Sequence, residues 1–267
     1  MNRIESIFAA LRADGRQALM PFVTAGHPTL DATAAILPAL EEAGASVCEL
    51  GIPFSDPVAD GPVIQASMTS ALSHDLHVDE VFEMVRGVRD RLSIGLVAMV
   101  SYSIVYRIGV ERFVKGAAGA GFDGFIFPDL PLEEADAVSG PVKDAGMICS
   151  LLIAPPTPVE RAERIAAACS GFIYMVSRTG ITGESAELPA DLVGRVAHLR
   201  GRTDLPIAVG FGISGPKQVR TVTAVADAAI VGSAVVRRIN EHQDEGAEAI
   251  AGHVGGFVGE LARGLGR

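Results

Sequence analysis

Residues 206–231 read PIAVGFGISGPKQVRTVTAVADAAIV, and the unit they form recurs along the chain. Two short apolar runs, Pro206 to Val209 and Ala228 to Val231, flank an amphipathic stretch, Pro216 to Val225, that carries proline in its first turn. Runs nearly continuous in aliphatic residues are typical of strands buried on both faces, and a helix between two of them makes the strands parallel. Six further runs lie upstream: Ala18 to Thr24, Val47 to Gly51, Gly95 to Val100, Gly124 to Phe127, Met147 to Ile153 and Phe172 to Val176. Helices are predicted between them over Leu30 to Ala43, Val78 to Arg91, Val110 to Ala120, Leu132 to Ala145, Val159 to Cys169 and Ala190 to Arg200. Gly44, Gly121 and Gly146 stand where helices should stop.

Eight such strands in 267 residues predict an α/β chain folded as a single (β/α)8 TIM barrel, with residues 1–267 forming one domain. Two segments exceed the repeat, an extra N-terminal helix around Ile4 to Arg12 and an elongated connection after strand 2 from Asp56 to Arg91, and a tail from Gly246 to Leu265 reads as a closing helix. A doubly wound open sheet is the competing arrangement. It usually carries a glycine-rich nucleotide loop after its first strand, and TAGHP at 24–28 is not GxGxxG.

Composition narrows the function classes. A formal net charge of -10 argues against a nucleic-acid surface, which needs clustered Lys and Arg. Cys48, Cys149 and Cys169 form no CxxC pair and suit reduced, buried thiols. The six histidines give no metal constellation by sequence, since His74 and His77 sit in a polar connection and the others are isolated. His27 reads as a turn residue. Charged residues break every apolar run of the amino terminus, so a soluble, cytoplasmic protein is expected.

Within the second run, strand alternation puts Val47 and Glu49 on one face and Cys48 and Leu50 on the other. An inward Glu49 is a carboxylate in a dry barrel mouth, where desolvation raises its pKa and suits it to give and take protons; a structural ion pair is the other reading. Asp56 and Asp60 follow at the strand's carboxyl end, where barrel active sites are built, although aspartate beside proline or glycine also forms turns and caps. Gly210, Phe211 and Gly212 follow the seventh run, and Gly232 with Ser233 follows the eighth. Loops at those places often hold phosphate on backbone N–H groups, and the same glycines also serve simply to turn a chain.

The stretches PFVTAGHP at 21–28, ELGIPFSDPVADGPVIQ at 49–65, SRTGITG at 177–183, GFGIS at 210–214 and VGSA at 231–234 resemble the tryptophan synthase alpha family. The likeness spans nearly the whole chain in order. It implies a retro-aldol cleavage of indole-3-glycerol phosphate without metal or organic cofactor, in which Glu49 is acid and base and Asp60 holds the indole N–H. It also implies that the loop over 177–189 closes as a lid, that Thr182 contacts the catalytic aspartate, that Arg178 helps hold the closed form, and that Gly183, Gly212, Gly232 and Ser233 bind the phosphate. Phe22 and Val100 are candidate walls for the indole ring and Tyr174 a candidate contact, with core packing as the alternative for all three.

The family's partner is a beta subunit in an alpha2beta2 heterotetramer, reached through the loops after strands 2 and 3. Pro53, Asp56 and Pro57 match the first loop, whereas Ser103 stands where asparagine is common in the second. Two other readings remain: a stand-alone lyase releasing indole, and a regulatory subunit without its own turnover.

Overall fold

The computed structural model describes residues 1–57, 60–177, 190–210 and 212–266. Strands β1 (Ala18–Thr24), β2 (Val47–Gly51), β3 (Gly95–Met99), β4 (Gly124–Phe127), β5 (Ile148–Ile153), β6 (Ile173–Val176), β7 (Ile207–Gly210) and β8 (Ala228–Val231) pair in chain order. All pairings are parallel, and β8 returns to β1, closing the barrel.

Helix α1 (Arg3–Ala13) precedes the barrel. Around it lie α2 (Leu30–Glu42), α3 (Pro62–Leu72), α4 (Val78–Arg89), α5 (Tyr102–Ile108), α6 (Val110–Ala120), α7 (Ala135–Asp144) and α8 (Val159–Ala168). The ring continues with α9 (Ala190–Arg200), α10 (Pro216–Thr223), α11 (Ser233–Glu241) and α12 (Ala247–Ala262). Among the described residues no helix is long and apolar enough to cross a membrane, and all three cysteines are free.

Three helices fall where the sequence pattern predicts none. The long connection after β2 holds α3 as well as α4, α5 fills the loop after β3, and α11 starts directly behind β8. Residues 234–236, Ala-Val-Val, continue the apolar character of β8, so composition there does not mark where strand gives way to helix.

Alternation along the strands sorts the core into two layers. Met20, Phe22, Val47, Val97, Ile126, Ala208 and Ile230 fill the barrel, while Leu19, Leu50, Leu96, Phe125, Leu151, Val209 and Val231 face the helices. Helix α1 closes the amino-terminal end of the barrel. Its Ile4 fits over Gly95, where a Cβ would lie 2.2 Å from the Ile4 side chain, and Phe8 meets Phe172 with ring centroids 6.0 Å apart. Arg89, at the end of α4, donates to the Ile94 carbonyl at 2.9 Å and to Asp123 at 2.8 Å, and the same carboxylate oxygen accepts from the Leu96 N–H. With that end sealed by apolar packing and a satisfied ion pair, the opposite, carboxyl end remains open.

Candidate active site at the carboxyl ends of the strands

A cavity of about 170 Å³ opens there, bounded by residues of β1, β2, β3, β5, β6, β7 and β8 and by the starts of α3 and α11. Glu49 stands on the inner face of β2, between Phe22 of β1 and Val97 of β3 in register. Its exposure is 0%, and neither carboxylate oxygen has a hydrogen-bond partner among the described residues. Burial without a compensating donor among the described residues pushes its pKa well above the ordinary glutamate value.

Asp60 reaches the same cavity from the loop after β2. Its backbone N–H donates to the Pro57 carbonyl at 3.0 Å, and its own carbonyl accepts from Gln65 Nε2 at 2.8 Å. Helix α3 starts immediately behind it, with Gly61 at the cap and Pro62 in the first turn. The hydroxyls of Thr24 and Ser67, 2.6 Å apart and buried, tie α3 to the end of β1. Burial raises the Asp60 pKa to about 6. The Tyr174 phenol is held well above its ordinary pKa, first by burial and then by the charges of Glu49 and Asp60, so it remains a donor.

Apolar side chains complete this end: Phe22, Ile64, Met99, Leu152 and Ile230 line the cavity. Two glycines make room for its aromatic groups. A Cβ on Gly51 would lie 2.5 Å from Phe22 Cζ, and one on Gly210 would lie 2.7 Å from the Tyr174 hydroxyl. The other end of the cavity has a different character. Gly212, Ser214, Gly232 and Ser233 border it, and Gly232 caps α11 without a side-chain hydrogen bond. Gly232, Ser233 and Ala234 line the cavity, so the first N–H groups of α11 lie beside it, an arrangement that attracts anions. A Cβ on Gly232 would make only ordinary contacts, 3.5 Å from Ile64 and 3.7 Å from Phe22. Protein packing thus leaves room for a side chain at that place, on the cavity side.

Of the residues singled out by sequence, Glu49, Asp60, Phe22, Tyr174, Gly212, Gly232 and Ser233 border one cavity. Val100 lies just beyond the end of β3, packed in the outer core, and borders an adjoining cavity that shares Asp60, Met99 and Pro128 with the first. Strand parity points Val97 and Met99 inward, and Met99 lines both cavities. Arg178, Thr182, Gly183, Phe211 and most of the loop over 177–189 lie outside the described residues. His27 is buried, with Nε2 on Asn240 Oδ1 of α11, and burial lowers its pKa. Sequence reading missed Arg237, which also borders the cavity. The available signal was its position four residues after Ser233, on the same face of a helix.

Two carboxyl groups with raised pKa in an apolar pocket, joined to a helix start suited to an anion, equip a (β/α)8 barrel for acid–base chemistry on a small phosphorylated molecule. The comparisons agree with that class. The model of the tryptophan synthase alpha chain family matches residues 8–262. A tryptophan synthase alpha chain of Rhodopirellula baltica is 46% identical over 242 residues, covering 90% of this chain and 87% of that one. The solved tryptophan synthase subunit alpha of Legionella pneumophila is 34% identical with a TM-score of 0.89, covering 99% of this chain and 98% of that one. A solved tryptophan synthase of Mycobacterium tuberculosis is 31% identical with a TM-score of 0.89, covering 98% of each chain. The chain belongs to the tryptophan synthase alpha chain family.

The Asp60 carboxyl should titrate near pH 6 in the free protein. Because the folded-state value is raised, Asp60 favours the folded state fully below its ordinary value of 3.8, and that contribution is lost as pH rises through about 6. Carbon-13 NMR of the side-chain carboxyl, assigned with Asp60→Asn, measures it; a midpoint near 4 would refute the desolvated environment.

Proposed function

We propose that this chain is a carbon–carbon lyase that splits indole-3-glycerol phosphate into indole and glyceraldehyde 3-phosphate, working as one domain in the cytoplasm. The observation that carries this reading is the convergence of Glu49 and Asp60 on one apolar cavity.

The bond between indole C3 and the glycerol side chain breaks only after C3 becomes tetrahedral. Glu49, protonated through burial, gives its proton to C3. Positive charge then develops on the ring nitrogen, and the Asp60 carboxylate accepts the N–H hydrogen bond, which strengthens as the charge grows. The resulting Glu49 carboxylate removes the proton of the side-chain hydroxyl. As that O–H bond breaks, the carbonyl of glyceraldehyde 3-phosphate forms, and the electrons of the broken C–C bond return to the indole ring. Glu49 ends protonated, as it began. Phe22, Met99 and Leu152 offer apolar surface for the ring, while the N–H groups near Gly212 and Gly232, the Ser233 hydroxyl and the Arg237 guanidinium offer a counterpart for the phosphate.

We also take the partner to be a beta subunit, in an alpha2beta2 assembly. Tyr106, 73% exposed on α5 and in edge contact with Tyr102, supports a protein-facing surface beside the loops after β2 and β3.

Glu49→Gln should lower turnover by about 100-fold to 10,000-fold, the usual contribution of a general acid–base group, with affinity for glycerol phosphate retained. A rate within threefold of the parent would sink the assignment. Gly232→Ala should leave the fold intact, since its Cβ finds only ordinary contacts, yet weaken glycerol phosphate binding measured by calorimetry. Equal affinity in the variant would move the phosphate elsewhere. Turnover of the chain alone and with the beta subunit of its own organism tests the partnership: slow alone and faster together is expected. Rapid turnover alone, at about 1 to 1,000 per second, favours a stand-alone lyase, and none in either condition favours a regulatory subunit.

A further inference from the structure

The end of α11 remote from the cavity carries a second group of chemically capable side chains. Helix α11 stops at Glu241 with His242 as its C-cap, and the chain turns back through Glu245, whose N–H donates to the His242 carbonyl at 2.9 Å. Helix α12 then starts behind Gly246, and its second turn brings in His253. Side chains on a helix lean toward its amino terminus, so His253 leans back over the turn.

These three residues converge. His242 Nδ1 lies 2.7 Å from Glu245 Oε1, and His253 Nε2 lies 3.3 Å from Glu245 Oε2. The two imidazoles stack with centroids 3.5 Å apart and planes 5° from parallel. One donor atom from each residue can be chosen so that all three lie within 4.8 Å of one another. Donors around a tetrahedral zinc ion, at about 2.0–2.1 Å from the metal, stand roughly 3.3 Å from each other, so the 3.3 Å between His253 and Glu245 already fits and the 2.7 Å between His242 and Glu245 must lengthen. Parallel rings direct their lone pairs side by side, and one ring must turn about its Cβ–Cγ bond for both to reach a single ion. His253 has the freedom to do so, being 47% exposed.

We propose that His242, Glu245 and His253 form a binding site for a divalent transition metal, zinc in particular. Two imidazoles and one carboxylate are a donor set for zinc rather than for magnesium or calcium, which take oxygen ligands. Water completes the coordination from the open side. Residue spacing does not reveal it, because the histidines stand eleven positions apart across a helix end, a turn and a helix start. The site is independent of the catalytic reading and lies nine residues, about 13 Å of helix, from Ser233. Its effect is structural: the ion ties the end of α11 to α12, beside the existing contact of Arg238 over the Phe257 ring at 5.2 Å.

Full-length protein stripped with chelator and titrated with zinc chloride by calorimetry should bind one ion per chain at this site, and the melting temperature should rise with zinc concentration. His253→Ala and Glu245→Gln should each weaken binding by at least about tenfold, and His242→Ala/His253→Ala should abolish both the binding and the thermal gain. Either single variant serves if the double variant fails to fold. Absence of saturable binding tighter than about 1 mM overturns the site, as does one-to-one binding of undiminished affinity in the variants, which would place the ion elsewhere.

Discussion

A carboxyl group on the inner face of a closed parallel barrel is buried and has no strand edge to turn to, and this constraint at Glu49 governs the rest of the molecule. The barrel pairs every strand on both sides, so each inward position must be filled or must border a cavity. Met20, Val47, Val97 and Ile126 fill the barrel around and beneath Glu49, and α1 seals the amino-terminal end. The carboxyl group is therefore buried by the protein around it and receives no hydrogen bond from the described residues. Such a group persists in a folded protein because protonation removes the charge that burial penalises. Its cost to stability and its capacity to donate a proton share that origin.

The cavity is divided by the same geometry. Near β2 it is apolar with two acids, and near β8 it is bordered by glycine, serine and the start of a helix. The separation sets the end bordered by a helix start apart from the two acids. Helix α3 and helix α11 stand on either side of this division. The first fixes Asp60 through Gln65 and through the Thr24–Ser67 contact, and the second brings its amino-terminal turn to the cavity. His27 links the loop after β1 to α11, so the two ends of the cavity are held by a shared framework.

The chain of residues by itself determined the barrel, because eight apolar runs separated by amphipathic stretches leave few ways to bury both faces of every strand. It also determined that Glu49 shares a face with Val47, since side chains alternate with a period of two wherever a strand forms, while the closed barrel decided that this face is the inner one. Strand ends were less legible: Val100 continues the apolar run of β3, and nothing local marks Met99 as the last inward residue. Only the tertiary structure decided which groups meet. Ile64, Arg237 and Leu152 reach the cavity from three separate elements, and His242 reaches His253 across a turn, because helix packing around a closed sheet sets those distances and sequence spacing does not. Whether Glu49 has a partner was likewise a tertiary matter, for a buried carboxylate is neutral or paired according to neighbours contributed by other strands.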